Sequence, residues 1–79
     1  MQGDPIDVLP DEGGAPLAFT WHEQSHQVAG IANRWLIDEG WWQERVKRQY
    51  FKLKTGSGLL VIVYLDLLHN QWYLQRLYD

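Results

Sequence analysis

Cysteine is absent from the 79 residues, which removes disulfide bridges and thiolate metal sites together. Stability must then come from packing or from self-association. A chain this short closes one core and has no surface left for a second. Long apolar runs are missing too. The longest, Leu59 to Leu68, is interrupted by Asp66 and falls short of the roughly 18 residues a membrane helix needs. A soluble protein with no membrane partner is expected. Met1-Gln2-Gly3-Asp4-Pro5 has neither the positive charge nor the apolar stretch of a secretory signal, so the expected compartment is the cytoplasm. Nor is there an excess of positive charge: the formal net charge of −3 argues against a general polyanion binder, whose phosphate contacts need clustered cations.

Aromatic residues fill the gap these absences leave. Five Trp, four Tyr and two Phe stand within a 46% apolar composition, and each large ring buries roughly 150–250 Å². An ordered domain follows. Residues 1–14 carry Asp4, Asp7, Asp11 and Glu12 among prolines and glycines. They read as an acidic edge strand or tail, with Asp11-Glu12-Gly13-Gly14 as a turn. Residues 15–79 form the single β domain. Leu17, Phe19 and Trp21 alternate with Ala18, Thr20 and His22, the pattern of a half-buried strand. Glu23-Gln24-Ser25 interrupts it, and Gln27 to Ile31 resumes as the second arm of a hairpin.

Residues 31–39 fit a strand or a short helix. Strand is preferred because Gly30 and Gly40 bracket only about nine residues. After a turn at Asp38-Glu39-Gly40, Trp41 to Lys54 changes its buried parity midway, which a bulge near Arg48 would accommodate. Thr55-Gly56-Ser57-Gly58 is the next turn. Leu59 to Leu65 is apolar on both parities and suits a central strand, and Gln71 to Tyr78 is the last. The fold class expected is mostly β: a five- to six-stranded antiparallel meander forming a small barrel or strongly bent sheet, with at most one short helix.

Catalytic chemistry finds little support. Ser25, Ser57, Thr20 and Thr55 stand in no recognisable arrangement with the three histidines. His22 and His26, with Glu23, are the one imidazole grouping, and they lack a third and fourth ligand. No enzyme activity, cofactor or metal site is expected. Two surfaces are candidates instead. Arg45, Lys47, Arg48, Lys52 and Lys54 hold five of the seven basic residues of the chain. With Phe51 and Leu53 inward, Tyr50, Lys52 and Lys54 share the outer face, and the bulge would add Arg48 to them. Cations flanking a ring suit a single-stranded nucleic acid, the charge following the backbone and an exposed Tyr50 stacking on a base. The plainer account is an edge strand whose lysines block sheet-to-sheet pairing. Trp35, Trp41 and Trp42 form the second candidate, an aromatic protein interface or a cap over one end of the barrel.

Pro16-Leu17-Ala18-Phe19-Thr20-Trp21, Trp35 followed by Trp41-Trp42, Arg48-Gln49-Tyr50-Phe51-Lys52-Leu53, Tyr64-Leu65-Asp66 and Trp72 to Asp79 form a series covering roughly residues 16 to 79. In these elements the chain resembles a small uncharacterised bacterial domain. That domain is similar to the extreme carboxy-terminal segment of the catalytically inactive Y-family polymerase-like subunit of the bacterial mutasome. The resemblance implies a setting in translesion DNA synthesis, where that subunit is an adaptor between proteins, and it implies no catalytic residues. The expectation is therefore a non-enzymatic interaction module with a protein partner linked to DNA-damage tolerance. Single-stranded nucleic acid binding is the alternative. The oligomeric state expected is a monomer or a weak homodimer through a sheet edge.

Overall fold

Apolar alternation and glycine-rich punctuation divide the chain into six strands. In the computed structural model, which describes residues 3–41 and 44–78, these are β1 (Asp4–Pro10), β2 (Pro16–Trp21), β3 (Gln24–Trp41), β4 (Glu44–Thr55), β5 (Leu60–Asp66) and β6 (Gln71–Tyr78). Each is antiparallel to the next, and β6 pairs back to β1 to close a barrel. Among the described residues there is no helix, and 31–39 is strand. No helix is long and apolar enough to cross a membrane.

The barrel is two sheets sharing two strands. β1 pairs with β6 through Asp4–Ile6 and with β2 through Asp7–Pro10. β3 pairs with β2 through Gln24–Gln27 and with β4 from Val28 onward. The amino-terminal stretch, expected at an edge, therefore has a strand on either side of β1. β3 turns from one sheet to the other at two register shifts, between Val28 and Gly30 and between Ile31 and Asn33. Each is a local bend of the bulged strand. The bulge expected near Arg48 is absent: β4 runs in unbroken register with β5 from Arg48 to Lys54.

Turns move accordingly. Asp38-Glu39-Gly40 is not a turn; it continues β3, and pairing runs out to Trp41 opposite Glu44. The β2–β3 hairpin turns at His22 and Glu23, both with positive φ (50° and 64°), between the paired Trp21 and Gln24. Two left-handed residues give the twist of a type I′ hairpin. Thr55 closes the β4–β5 turn as expected, its hydroxyl accepting from Leu59 N at 3.0 Å and lying 2.9 Å from the Ser57 hydroxyl.

Inside sit Ile6, Ala15, Phe19, Phe51, Leu53, Val61, Val63 and Leu74, with Val8, Trp21, Val28 and Trp72 packed against them. All strands except β3 contribute a buried apolar side chain to this cluster, and β3 adds half-buried Val28. Leu17, expected inward with Phe19, is exposed, because β2 buries Pro16, Ala18 and Phe19 instead of alternating strictly.

Candidate interaction surface

Phe51 and Leu53 point into the core, so Arg48, Tyr50, Lys52 and Lys54 lie along the outer face of β4. Strand register then sets Tyr50 between Trp35 of β3 and Tyr64 of β5, with Tyr73 of β6 beyond. The four rings form a belt across the sheet with centroid spacings of 5.3, 5.0 and 5.1 Å. Trp35 and Tyr50 are nearly coplanar in orientation, 5° apart. Cross-strand aromatic pairs of this kind stabilise by about 0.5–1.5 kcal/mol each. The belt is closed to solvent at its centre: Tyr50 is 5% exposed and Tyr64 1%. The exposed Tyr50 expected of a base-stacking strand is thus corrected. Its two neighbouring rings occupy the space a base would need.

Cations border the belt. Arg48 lies over the Tyr64 ring, 4.8 Å from its centroid, and donates to the Tyr50 hydroxyl at 3.5 Å. That hydrogen bond raises the guanidinium pKa above its ordinary value, against the opposing effect of burial. On the other side, Lys52 Nζ is 5.8 Å from the Tyr78 ring and the Arg76 guanidinium 5.2 Å. Lys54 is exposed. Ile62, Gln75, Arg76 and Tyr78 line an open groove of about 500 Å³ beside them. Edge protection does not explain the lysines, since β4 has β3 on one side and β5 on the other.

One hairpin leaves the barrel. β5 ends at Asp66, opposite Arg48, while β3 and β4 continue together to Trp41 and Glu44. Leu67 N donates to the Lys47 carbonyl at 2.9 Å at the foot of this two-stranded arm. The arm draws the molecule out to 42 Å in one direction against 24 and 20 Å in the others. At its root, level with the last residues of β5, Trp35 and Ile37 are half-buried on one side of β3 and Leu36 is 52% exposed on the other. Of the expected Trp35/Trp41/Trp42 surface, Trp35 is described; Trp42 and the side chain of Trp41 lie outside the described residues. Where arm meets barrel, Arg34, Gln49, Phe51, Leu65 and Leu67 line a cleft with Gly13 and Gly14. Gln49 Nε2 spans its floor, donating to the Trp35 carbonyl at 3.0 Å and the Tyr50 carbonyl at 3.4 Å.

The histidines are dispersed. His22 meets Trp21 edge-on at 4.5 Å, and His26 stacks on Phe19 at 5.0 Å, so the hairpin register does not bring them together as ligands. Among the described residues no three His, Asp or Glu side chains are placed to share a metal ion. His69 Nδ1 is 2.9 Å from Asp66 Oδ2. Burial pushes the Asp66 pKa up, yet the His69 contact and the backbone N–H of Leu68 at 3.0 Å outweigh it and leave the carboxyl below its usual range.

Sequence reasoning put Tyr50, Lys52 and Lys54 on one face and joined Arg48 to them through a bulge that is absent, Arg48 sharing the face by plain alternation; it missed Tyr64, Tyr73, Arg76 and Tyr78. Those four lie on other strands, and only the register brings them to β4. Among known proteins, a family model described as a domain of unknown function, DUF6504, matches residues 2–79. No curated protein and no solved structure matches the chain.

Proposed function

The chain belongs to the DUF6504 family, and from that premise we propose that it is a non-enzymatic β module that docks a protein partner through the β3–β4 arm. The observation that carries the reading is the arm itself. A two-stranded ribbon extends past the last β5 residue from Asp38 and Lys47, and at its root, still level with β5, β3 holds half-buried Trp35 and Ile37 on one side and an exposed Leu36 on the other. Isolated ribbons bury little apolar surface of their own, so an exposed leucine at the root of the ribbon on a closed barrel is a surface that gains by being covered. The resemblance to the carboxy-terminal segment of the mutasome subunit supplies a setting: an adaptor in bacterial DNA-damage tolerance, in the cytoplasm.

The test compares proteins captured from the source cells by the wild-type domain and by Leu36→Asp, each shown to be folded by circular dichroism. Loss of specific partners with the arm variant is the expected result. An unchanged partner set sinks the reading.

A second reading is favoured by the clustering of Lys52 and Arg76 at Tyr78, beside exposed Lys54. These groups suit the backbone of a single-stranded nucleic acid, with Tyr78 rather than Tyr50 as the available ring. Anisotropy of a labelled single-stranded oligonucleotide at two salt concentrations decides it. Phosphate contacts require binding that weakens steeply with salt.

A further inference from the structure

We propose that a second copy of this chain pairs with the free edge of β3, strand to strand and antiparallel, about a two-fold axis at Leu36. The inference rests on the reading of the arm as a docking element and names one occupant for it. Among the described residues, β3 pairs with β2 only through Gln24–Gln27; from Val28 to Trp41 its ladder partner is β4 alone. One edge of that stretch is therefore open. Its register shifts end at Asn33, and from Arg34 to Trp41 the strand is regular.

The open edge carries usable hydrogen-bonding groups. In an antiparallel pair, residues facing the partner with both N–H and C=O alternate with residues facing away. The Lys47 carbonyl accepts from Leu67 N, so Lys47 faces away from β3, and its pair mate Asp38 directs its backbone outward. Alternation gives the same for Leu36 and Arg34. An independent contact agrees: Arg34 N is bonded at 2.8 Å by the side chain of its own neighbour, Asn33, and so is not engaged by β4. That local acceptor is exposed and is readily replaced by a carbonyl of an incoming strand.

Natural edges are blunted by lysine, proline or bulges; Val28 to Trp41 contains neither lysine nor proline, and its two bulges lie before Arg34. What the edge offers instead is self-complementarity, the requirement of a two-fold interface. With Leu36 opposite Leu36 of the second copy, Arg34 faces Asp38 of that copy and Trp35 faces Ile37. By symmetry each pair occurs twice. Shifting the axis to Ile37 sets Leu36 against Asp38 and Trp35 against Glu39, and shifting it to Trp35 sets Arg34 against Leu36. Only the Leu36 axis matches charge with charge and apolar with apolar. It forms about six backbone hydrogen bonds across three outward-facing pairs. Asp38 already lies 3.4 Å from Arg45 in an exposed contact, and Lys47 is its pair mate on β4. Both cations are on the near side of the carboxylate, leaving its other flank to Arg34 of the second copy.

Sedimentation equilibrium over a concentration series tests the pairing in wild type, Arg34→Asp, Asp38→Arg and the double exchange, with circular dichroism confirming that each is folded. The wild type is expected to dimerise reversibly. Each single exchange opposes like charges at two symmetric positions and should weaken the dimer about tenfold or more. The double exchange restores opposite pairing across the axis and should recover most of the loss, falling short of wild type by the Asp38–Arg45 contact it gives up. A wild type that stays monomeric to millimolar concentration overturns the proposal, as does a dimer indifferent to the single exchanges or one the double exchange does not rescue. Because no other protein is present, such a failure leaves the partner-capture result for Leu36→Asp to stand or fall separately.

Discussion

The two ends of the β3–β4 hairpin are built from the same two strands and do opposite things. At the base, Phe51, Leu53 and Thr55 of β4 are buried, because β5 and the rest of the barrel cover their inner face. Gln49, the next residue of the same inward parity, is half-buried beside Leu65 of β5; in the arm that parity falls to Lys47 and Arg45, and facing them are Asp38 and Gly40. No third strand stands beneath, so burial lapses and polar residues take the inward positions. The difference teaches that the length of β5, not any property of β3 or β4, sets where the core ends. Where that cover gives out, Leu36 at the root of the ribbon is exposed and available for other work.

The sharpest way to break this comparison is to truncate matching leucines at the two ends. Leu53 is 0% exposed, and Leu53→Ala should lower unfolding stability by about 2–5 kcal/mol in urea denaturation, from lost transfer energy and the cavity left behind. Leu36→Ala should fall within about 0.5 kcal/mol of wild type. Similar losses at both positions would mean that the arm belongs to the cooperative core. Thr55→Val comes next. It preserves volume while removing the acceptor for Leu59 N, which is otherwise without that partner in the β4–β5 turn. A loss of about 1–3 kcal/mol by the same measurement is expected.

Much of the base was legible in the sequence and much of the arm was not, for one physical reason. Side-chain alternation reports which face of a strand is covered, so Phe19, Phe51 and Leu53 declare themselves, while Leu59 to Leu65, apolar on both parities, marks a covered strand without saying which side chains face inward. It does not report which strand lies alongside. The closure of β1 between β2 and β6, the run of β3 through Asp38-Glu39-Gly40 and the belt through Tyr64 and Tyr73 all depend on lateral register, which is set by pairing between distant residues. Tyr50 shows the limit within one side chain. Its face was read correctly, and its burial was missed because the rings that cover it come from β3 and β5.

The β2–β3 hairpin offers a gain instead of a loss. His22 and Glu23 both hold positive φ, a conformation that strains side chains with a Cβ. Replacing them by Asn-Gly, the pair such a turn prefers, should stabilise the barrel by about 1 kcal/mol, seen as a raised midpoint in urea. The His22–Trp21 edge contact is lost in the exchange and limits the gain. Since this turn joins β2 to the part of β3 inside the barrel, the arm should be unaffected, and self-association by sedimentation should not change.

The smallest effect expected lies at the boundary itself. Asp66 is the last β5 residue, paired with Arg48 and Gln71 on either side, and its side chain is tied to His69. Its folded pKa is depressed, so the carboxylate form is favoured by folding. That contribution is fully present above the unfolded carboxyl pKa of about 4 and disappears as pH falls through the lower folded value. Asp66→Asn keeps an oxygen to accept from Leu68 N and His69 N but removes the charge. Thermal melts of the two proteins should therefore differ at neutral pH, with wild type the more stable, and converge in acid below the folded pKa. A difference that persists unchanged into strong acid would assign Asp66 to turn geometry alone, and the edge of the core would be held there by backbone pairing and not by the carboxylate.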